Sequence, residues 1–201
     1  MDVINILSLS IFLVFFISYL LKLIILNRKN GIKANVLGKG GKSKDINKAE
    51  LFVKITTFTW GALWFILSIM GSKVNGIIGL ITNTYLLRYI GVAFLAIGCF
   101  LFIIAMVSMK TSWRVGIDKK THSSLVTNGI YKYSRNPAFV GFDTMFLGFS
   151  LTNLSLLTLI VTVLNIIAIH RLIIQEEQHL YSIFGDGYAE YKAKTPRYFL
   201  K

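Results

Sequence analysis

"VINILSLSIFLVFFISYLLKLIIL", Val3 to Leu26, contains one charged residue, Lys22. About 20 apolar residues in a helix rising 1.5 Å each cross the hydrocarbon core of a bilayer. The run is therefore long enough to span, and Lys22 sits near its end, where a long side chain reaches the headgroups. No basic region precedes it and no small-residue cleavage site follows, so it reads as a retained first span and not as a signal peptide.

Four more apolar runs extend the pattern: Leu51 to Gly71, Tyr89 to Met109, Ala138 to Leu151 and Leu154 to Ile174. Only closed hydrogen-bonding arrangements survive in hydrocarbon, so the expected fold is all-α, a polytopic helical membrane protein with about five transmembrane helices. The composition agrees, with 54% apolar and 15% charged residues in 201 and a mean hydropathy of +0.63. The fourth run is short, and the turn at Thr152 and Asn153 makes it one arm of a tight hairpin with the fifth. The stretch Val74 to Leu87 is too polar to span and reads as an interfacial connection. One membrane domain over 1–201 is expected, with 1–109 forming the first spans and a basic loop and 110–201 the region that carries chemistry.

The net charge of +13 does not point to nucleic acid, because the cations are confined to loops. Eight Lys and Arg lie between Arg28 and Lys54 and six between Lys110 and Arg135. Such loops face the cytoplasm, which puts the N-terminus outside and the C-terminus inside. The Gly, Lys and Asn usage of "NRKNGIKANVLGKGGKSKDINKAE" predicts a mobile tether attracted to anionic lipid. The compact length and the Ile, Lys and Asn usage favour a prokaryotic inner membrane. Cys99 is alone, so no internal disulfide exists. His122, His170 and His179 share no helical face, and no metal is expected.

Polar chemistry concentrates in two places. In "NGIYKYSRNPAFVGFD", Asn128 to Asp143, Gly129 allows unusual backbone angles and Pro137 opens a helix whose first amides can take a carboxylate. Arg135 can take one too, and Asp143, two turns into a span, must face the interior. The tail "HRLIIQEEQHLYSIFGDGYAEYKAKTPRYFL" reads as the last span leaving the bilayer. It puts His170, Ile173, Glu177, Leu180 and Phe184 on one stripe, with Arg171 on another. Gly185 ends it, and a short helix carries Tyr188 and Tyr191. Cations from one segment and carboxylates from the other suit a zwitterion: Arg135 or Arg171 for its carboxylate, Glu176 or Glu177 for its ammonium.

These elements resemble the isoprenylcysteine carboxyl methyltransferase and phospholipid N-methyltransferase group of membrane enzymes. The resemblance rests on Gly129 and Tyr131, on Arg135, Asn136 and Pro137, on Glu176 and Glu177, and on Phe184, Gly185, Tyr188 and Tyr191, closing with Pro196 and Arg197. It covers roughly Ser112 to Phe199, and the first three spans carry no signature. It implies an S-adenosylmethionine-dependent methyltransferase acting at the cytoplasmic membrane face on a lipophilic or lipidated acceptor, a carboxylate of isoprenylcysteine type. N-methylation of a phospholipid amine and S-methylation of a small thiol stay open, as do a nicotinamide-dependent reductase and a non-enzymatic scaffold. The implied cofactor site is Gly129, Tyr131, Arg135, Asn136, Pro137, Phe139, Glu176, Tyr188 and Tyr191. Arg171 and Glu177 are the implied catalytic pair, with Asp143 and His170 in the substrate pocket. Asn136 stands where many relatives have His, and an amide does not titrate near neutral pH.

Overall fold

The computed structural model describes residues 2–74, 79–81, 84–118 and 124–199. Its helices are α1 (Val3–Asn30), α2 (Lys44–Met70), α3 (Tyr85–Ser108), α4 (Pro137–Thr152), α5 (Leu156–Phe184) and α6 (Asp186–Lys194). Four of them, α1, α2, α3 and α5, are long and apolar enough to cross a membrane. The expected fourth run, α4, is helical but has only 16 residues, so the structure supplies four full-length spans and one shorter companion. The helices overrun the apolar runs at their ends because Asn, Lys, Glu and Gln continue a helix once hydrocarbon gives way to headgroups. His122 and residues 75–78 and 82–83 of the expected interfacial connection lie outside the described residues, and its last three residues belong to α3.

The α4 helix lies antiparallel against α3, and four glycines set their separation. Gly91 and Gly98 of α3 meet Gly148 and Gly141 of α4, seven residues apart on each side. A Cβ added at Gly98 would fall 2.6 Å from the Gly141 carbonyl oxygen, and one at Gly148 would fall 2.7 Å from that of Gly91. In lipid no hydrophobic force joins apolar helices, so close backbone approach through small residues takes its place. The hairpin into α5 is held by a capping box: Ser155 accepts from the Thr158 amide at 3.2 Å and the Thr158 hydroxyl accepts from the Ser155 amide at 3.1 Å.

Polar links join the remaining helices inside the apolar region. The Trp64 indole donates to Ser8 at 2.8 Å and ties α1 to α2. Asn165 donates to the Thr56 carbonyl at 3.2 Å and ties α5 to α2. Around them Phe15, Trp60, Phe102, Phe142 and Phe146 pack edge to face, with Trp60 and Phe146 centroids 4.8 Å apart. At one end of the bundle the Arg88 guanidinium donates to Asp2 at 2.7 Å, Asn5 at 2.9 Å and the Thr152 carbonyl at 3.2 Å, joining the start of α1 and α3 to the end of α4.

At the other end the basic loop is not a free tether. Only 31–43 lie outside the helices, and Glu50, fully buried on α2, holds them. Its carboxylate accepts from the Gly38 amide at 2.6 Å, the Ile117 amide at 2.8 Å and the Lys42 ammonium at 2.8 Å. Val36 and Val115 pair through backbone bonds of 2.9 Å, the Val36 amide donating to Val115 while the Val115 amide donates to Ala34. Composition alone suggested mobility because it registers glycine and lysine, whereas one acid in the following helix supplies three bonds to this roof.

The glycine contacts make a sharp stability prediction. Gly98→Val should lower folded stability by at least about 3 kcal/mol, because backbone cannot yield as a side chain does. Gly61→Ala, with nothing within 4 Å of its added methyl, should raise stability by about 0.5–1 kcal/mol. Thermal melting in detergent by circular dichroism checks both.

Candidate functional site

The residues singled out around Arg135 and the glutamate pair come together at the roofed end of the bundle. Gly129, at φ +65°, starts a single 3₁₀ turn, Gly129–Lys132, which turns Tyr131 inward. Pro137 occupies the first turn of α4. The 134–136 and 195–197 segments then run side by side: the Arg135 amide donates to the Pro196 carbonyl at 2.9 Å and Ser134 Oγ to the Arg197 carbonyl at 3.0 Å. From α6, the Tyr191 hydroxyl donates to the Tyr131 carbonyl at 2.6 Å.

Glu177 is the knot of this arrangement. Its Oε1 accepts from Arg135 Nη2 at 3.0 Å, Asn136 Nδ2 at 3.0 Å and Arg197 Nε at 3.2 Å, while Oε2 accepts from Arg197 Nη2 at 2.9 Å. Arg135 Nη1 also donates to the Thr195 carbonyl at 2.6 Å. A carboxylate engaged by two guanidiniums and an amide is a weak base, and the geometry gives Glu177 a structural place where a catalytic one was expected. Asn136 suits this place because its amide also donates to the Arg197 carbonyl at 3.3 Å.

The neighbouring Glu176 points elsewhere. It lines a cavity of about 660 Å³ and has no hydrogen bond or ion pair among the described residues. From α5 the cavity is lined by Ile169, Leu172, Glu176, His179, Leu180 and Ile183, all but Leu180 one residue out of step with the stripe expected through Glu177. Both stripes obey helical spacing, and each carries one glutamate, so periodicity could not choose between them.

Of the expected cofactor residues, Tyr131, Arg135, Asn136, Phe139, Glu176, Tyr188 and Tyr191 all line this cavity, whereas Gly129 and Pro137 only shape the backbone beside it. Tyr188 is buried, with its hydroxyl beside the Arg135 guanidinium but without a well-aligned partner. Burial, reinforced by the charges of Glu177 and Glu176, pushes that hydroxyl up to about 12, so it remains a donor at neutral pH. Phe139 and Val140 both donate their amides to the Asn136 carbonyl, leaving less of the helix start free than expected.

The expected substrate and acceptor residues are not in the cavity. Arg171 lies on the opposite side of α5, its guanidinium 5.9 Å from the centre of the Phe52 ring, beside a separate cleft with Asp45 and Lys48. It is five residues from Glu176, which is about 140° around a helix. His170 Nδ1 shares a hydrogen bond of 2.7 Å with the Tyr198 hydroxyl. Asp143 is half-buried on another face of α4 from the cavity residue Phe142, and its buried Oδ1 has no hydrogen-bond partner among the described residues. Sequence reasoning missed the contribution of α1 and α2, whose Phe12, Phe16, Tyr19, Lys54, Phe58 and Phe65 line the deeper part of the cavity. The aromatic spacing of four and three along α1 was the available signal.

The family profile described as phospholipid methyltransferase matches residues 86–187. A curated protein, the Protein-S-isoprenylcysteine O-methyltransferase of Schizosaccharomyces pombe (strain 972 / ATCC 24843), is 36% identical over 109 residues, covering 51% of this chain and 45% of the relative. The match thus spans less than half the length of that relative.

Adjacent glutamates with opposite roles give two checks. Glu177→Ala strands two guanidiniums and should cost about 3–5 kcal/mol of stability, whereas Glu176→Ala removes an unpaired carboxylate and should leave the melting temperature unchanged or higher. Equal effects of the two substitutions would overturn the assignment. Because an unfolded tyrosine ionises near 10 and Tyr188 in the fold near 12, its contribution to stability is intact below pH 10 and is lost as pH rises toward 12. Tyr188→Phe should therefore flatten the alkaline limb of the melting profile.

Proposed function

The chain belongs to the phospholipid methyltransferase family, and from that premise we propose that it transfers a methyl group from S-adenosylmethionine to a lipophilic acceptor at the cytoplasmic face of the membrane. The observation that carries this reading is Glu176, an unpaired carboxylate in an aromatic-walled cavity that reaches from the roofed polar end to the bilayer-facing side of α1 and α2. An unpaired buried charge is costly unless a ligand answers it.

The residues present fit the donor. A cavity of about 660 Å³ lies within the range of about 300–1,000 Å³ that holds small ligands. Glu176 would take the ammonium, Tyr131 and Phe139 would wall the adenine, and the Tyr188 hydroxyl would donate to a polar edge. S-adenosylmethionine supplies an electrophilic methyl group on a sulfonium, and displacement from it needs no covalent link to the protein. The chain's own contribution is then positioning and water exclusion. Arg135, already spent on Glu177 and the Thr195 carbonyl, holds the donor wall in shape.

The acceptor we favour is a carboxylate of isoprenylcysteine type, the group for which the yeast relative is named. A carboxylate is anionic at neutral pH and needs no base, which suits a site whose Glu177 is engaged. The family description favours a second reading, N-methylation of a phospholipid amine, in which a proton must leave first and His179, on the cavity wall with Nε2 2.9 Å from the Asp118 carbonyl oxygen, is a candidate acceptor. The cations gathered in and around loop 31–43 at the roofed end favour a cytoplasmic position for that end and an N-terminus outside.

Calorimetric titration with S-adenosylhomocysteine tests the proposal. Wild-type protein should bind, and Glu176→Gln should weaken binding at least about tenfold, the loss of roughly 1.4 kcal/mol expected for a charged hydrogen bond. Failure of folded wild-type protein to bind the donor product would remove the methyltransferase reading.

A further inference from the structure

The cavity wall carries five formally charged side chains: Lys54, Arg114, Asp118, Arg135 and Glu176. Three of them are committed. Arg114 Nε lies 3.0 Å from Asp118, and Arg135 Nη2 lies 3.0 Å from Glu177. Lys54, exposed at the cavity mouth, has no ion pair among the described residues, and neither has Glu176. One cavity therefore carries an unpaired cation and an unpaired carboxylate on different helices.

Lys54 heads a particular strip of that wall. Along α2, Thr57, Phe58, Gly61 and Phe65 follow it on one face, and across from them α1 presents Phe12, Phe16 and Tyr19. Phe58 is 77% exposed and Phe16 43%, so this slot opens sideways toward lipid. Gly61 would have nothing within 4 Å of an added methyl, which leaves the middle of the slot clear. From Lys54 to Phe65 is 11 residues, roughly 16 Å of helix, about half of the ~30 Å hydrocarbon core. The slot thus reaches one leaflet only, with its cation at the headgroup end. Trp60 and Trp113 line the same cavity with buried indole N–H groups that have no partner, a cost relieved when a ligand brings acceptor oxygens.

We propose that Lys54 is the anchor for the acceptor's anionic group, and that the slot between α1 and α2 takes a single-tailed amphiphile bearing a carboxylate next to its apolar chain. The proposal rests on the methyl-transfer reading and narrows it to an anionic acceptor. It also gives the role once expected of Arg171 to a residue on a different helix. An ammonium on a flexible stem suits such an anchor, because it can follow the headgroup as the tail seats itself.

The test uses the whole protein in nanodiscs with two probes of equal tail, N-acetyl-S-farnesylcysteine and its carboxamide, titrated by intrinsic tryptophan fluorescence, with S-adenosylhomocysteine titrated separately. Wild-type protein should bind the acid at least tenfold more tightly than the amide. Lys54→Met should abolish that preference while leaving the affinities for the amide and for S-adenosylhomocysteine unchanged, and Lys54→Arg should restore most of it. In turnover, Lys54→Met should raise KM for the acid at least tenfold with a smaller change in kcat. Retention of the acid preference in Lys54→Met, or equal binding of acid and amide by wild type, overturns the anchor. Loss of S-adenosylhomocysteine binding in wild type with the acid preference intact would instead sink the methyl-transfer reading and leave the anchor standing.

Discussion

The cavity depends on the carboxylate of Glu177. Three segments meet there: α5 brings the acid, residues 135 and 136 bring a guanidinium and an amide, and residues 195–197 bring a second guanidinium and the Thr195 carbonyl that closes on Arg135. Neither 134–136 nor 195–197 is apolar enough to be held by burial alone. What joins them is charge-assisted hydrogen bonding where water is scarce and each bond is strengthened by its surroundings. A motif whose residues are spread over 60 positions is thereby made into one wall.

A second buried acid does the same for the roof. Glu50 gathers two backbone amides and an ammonium from chain segments that have no strand or helix of their own. Gly116, at φ +87°, is needed there because a side chain would meet Leu37 backbone at 2.8 Å. The acids thus divide by function: Glu50 and Glu177 are saturated with donors and build the enclosure, while Glu176 is left unsatisfied inside it. That division explains why a bundle with so few acids places three of them around one cavity.

The enclosure joins two solvents. Its polar end carries Tyr131, Arg135, Glu176 and Tyr188, and its deeper part is aromatic and opens between α1 and α2. Under the methyl-transfer proposal, such a space would let a water-soluble donor and a membrane-soluble acceptor meet without either crossing the other's medium. The tight α3–α4 pair and the α4–α5 turn make the rigid side of that space, whereas α1 and α2, held to each other by the Trp64, Ser8 and Ser68 contacts, make the side facing lipid.

The amino-acid sequence by itself determined that the chain is a helical membrane protein, where its apolar runs lie, and which motif residues mark the polar end, because hydrocarbon length and residue chemistry are local properties. It also identified the hairpin turn and the terminal helix, whose signals, Thr152–Asn153 and Gly185, are local as well. Only the tertiary structure decided which of two adjacent glutamates faces the cavity, that Arg171 turns away toward Phe52, that a glycine-rich basic loop is fastened down, and that α1 and α2 supply one wall of the cavity. Each of these depends on the rotation of one helix against another, and that rotation is set by long-range contacts such as Gly98 on Gly141 and Arg197 on Glu177, which no window of sequence contains.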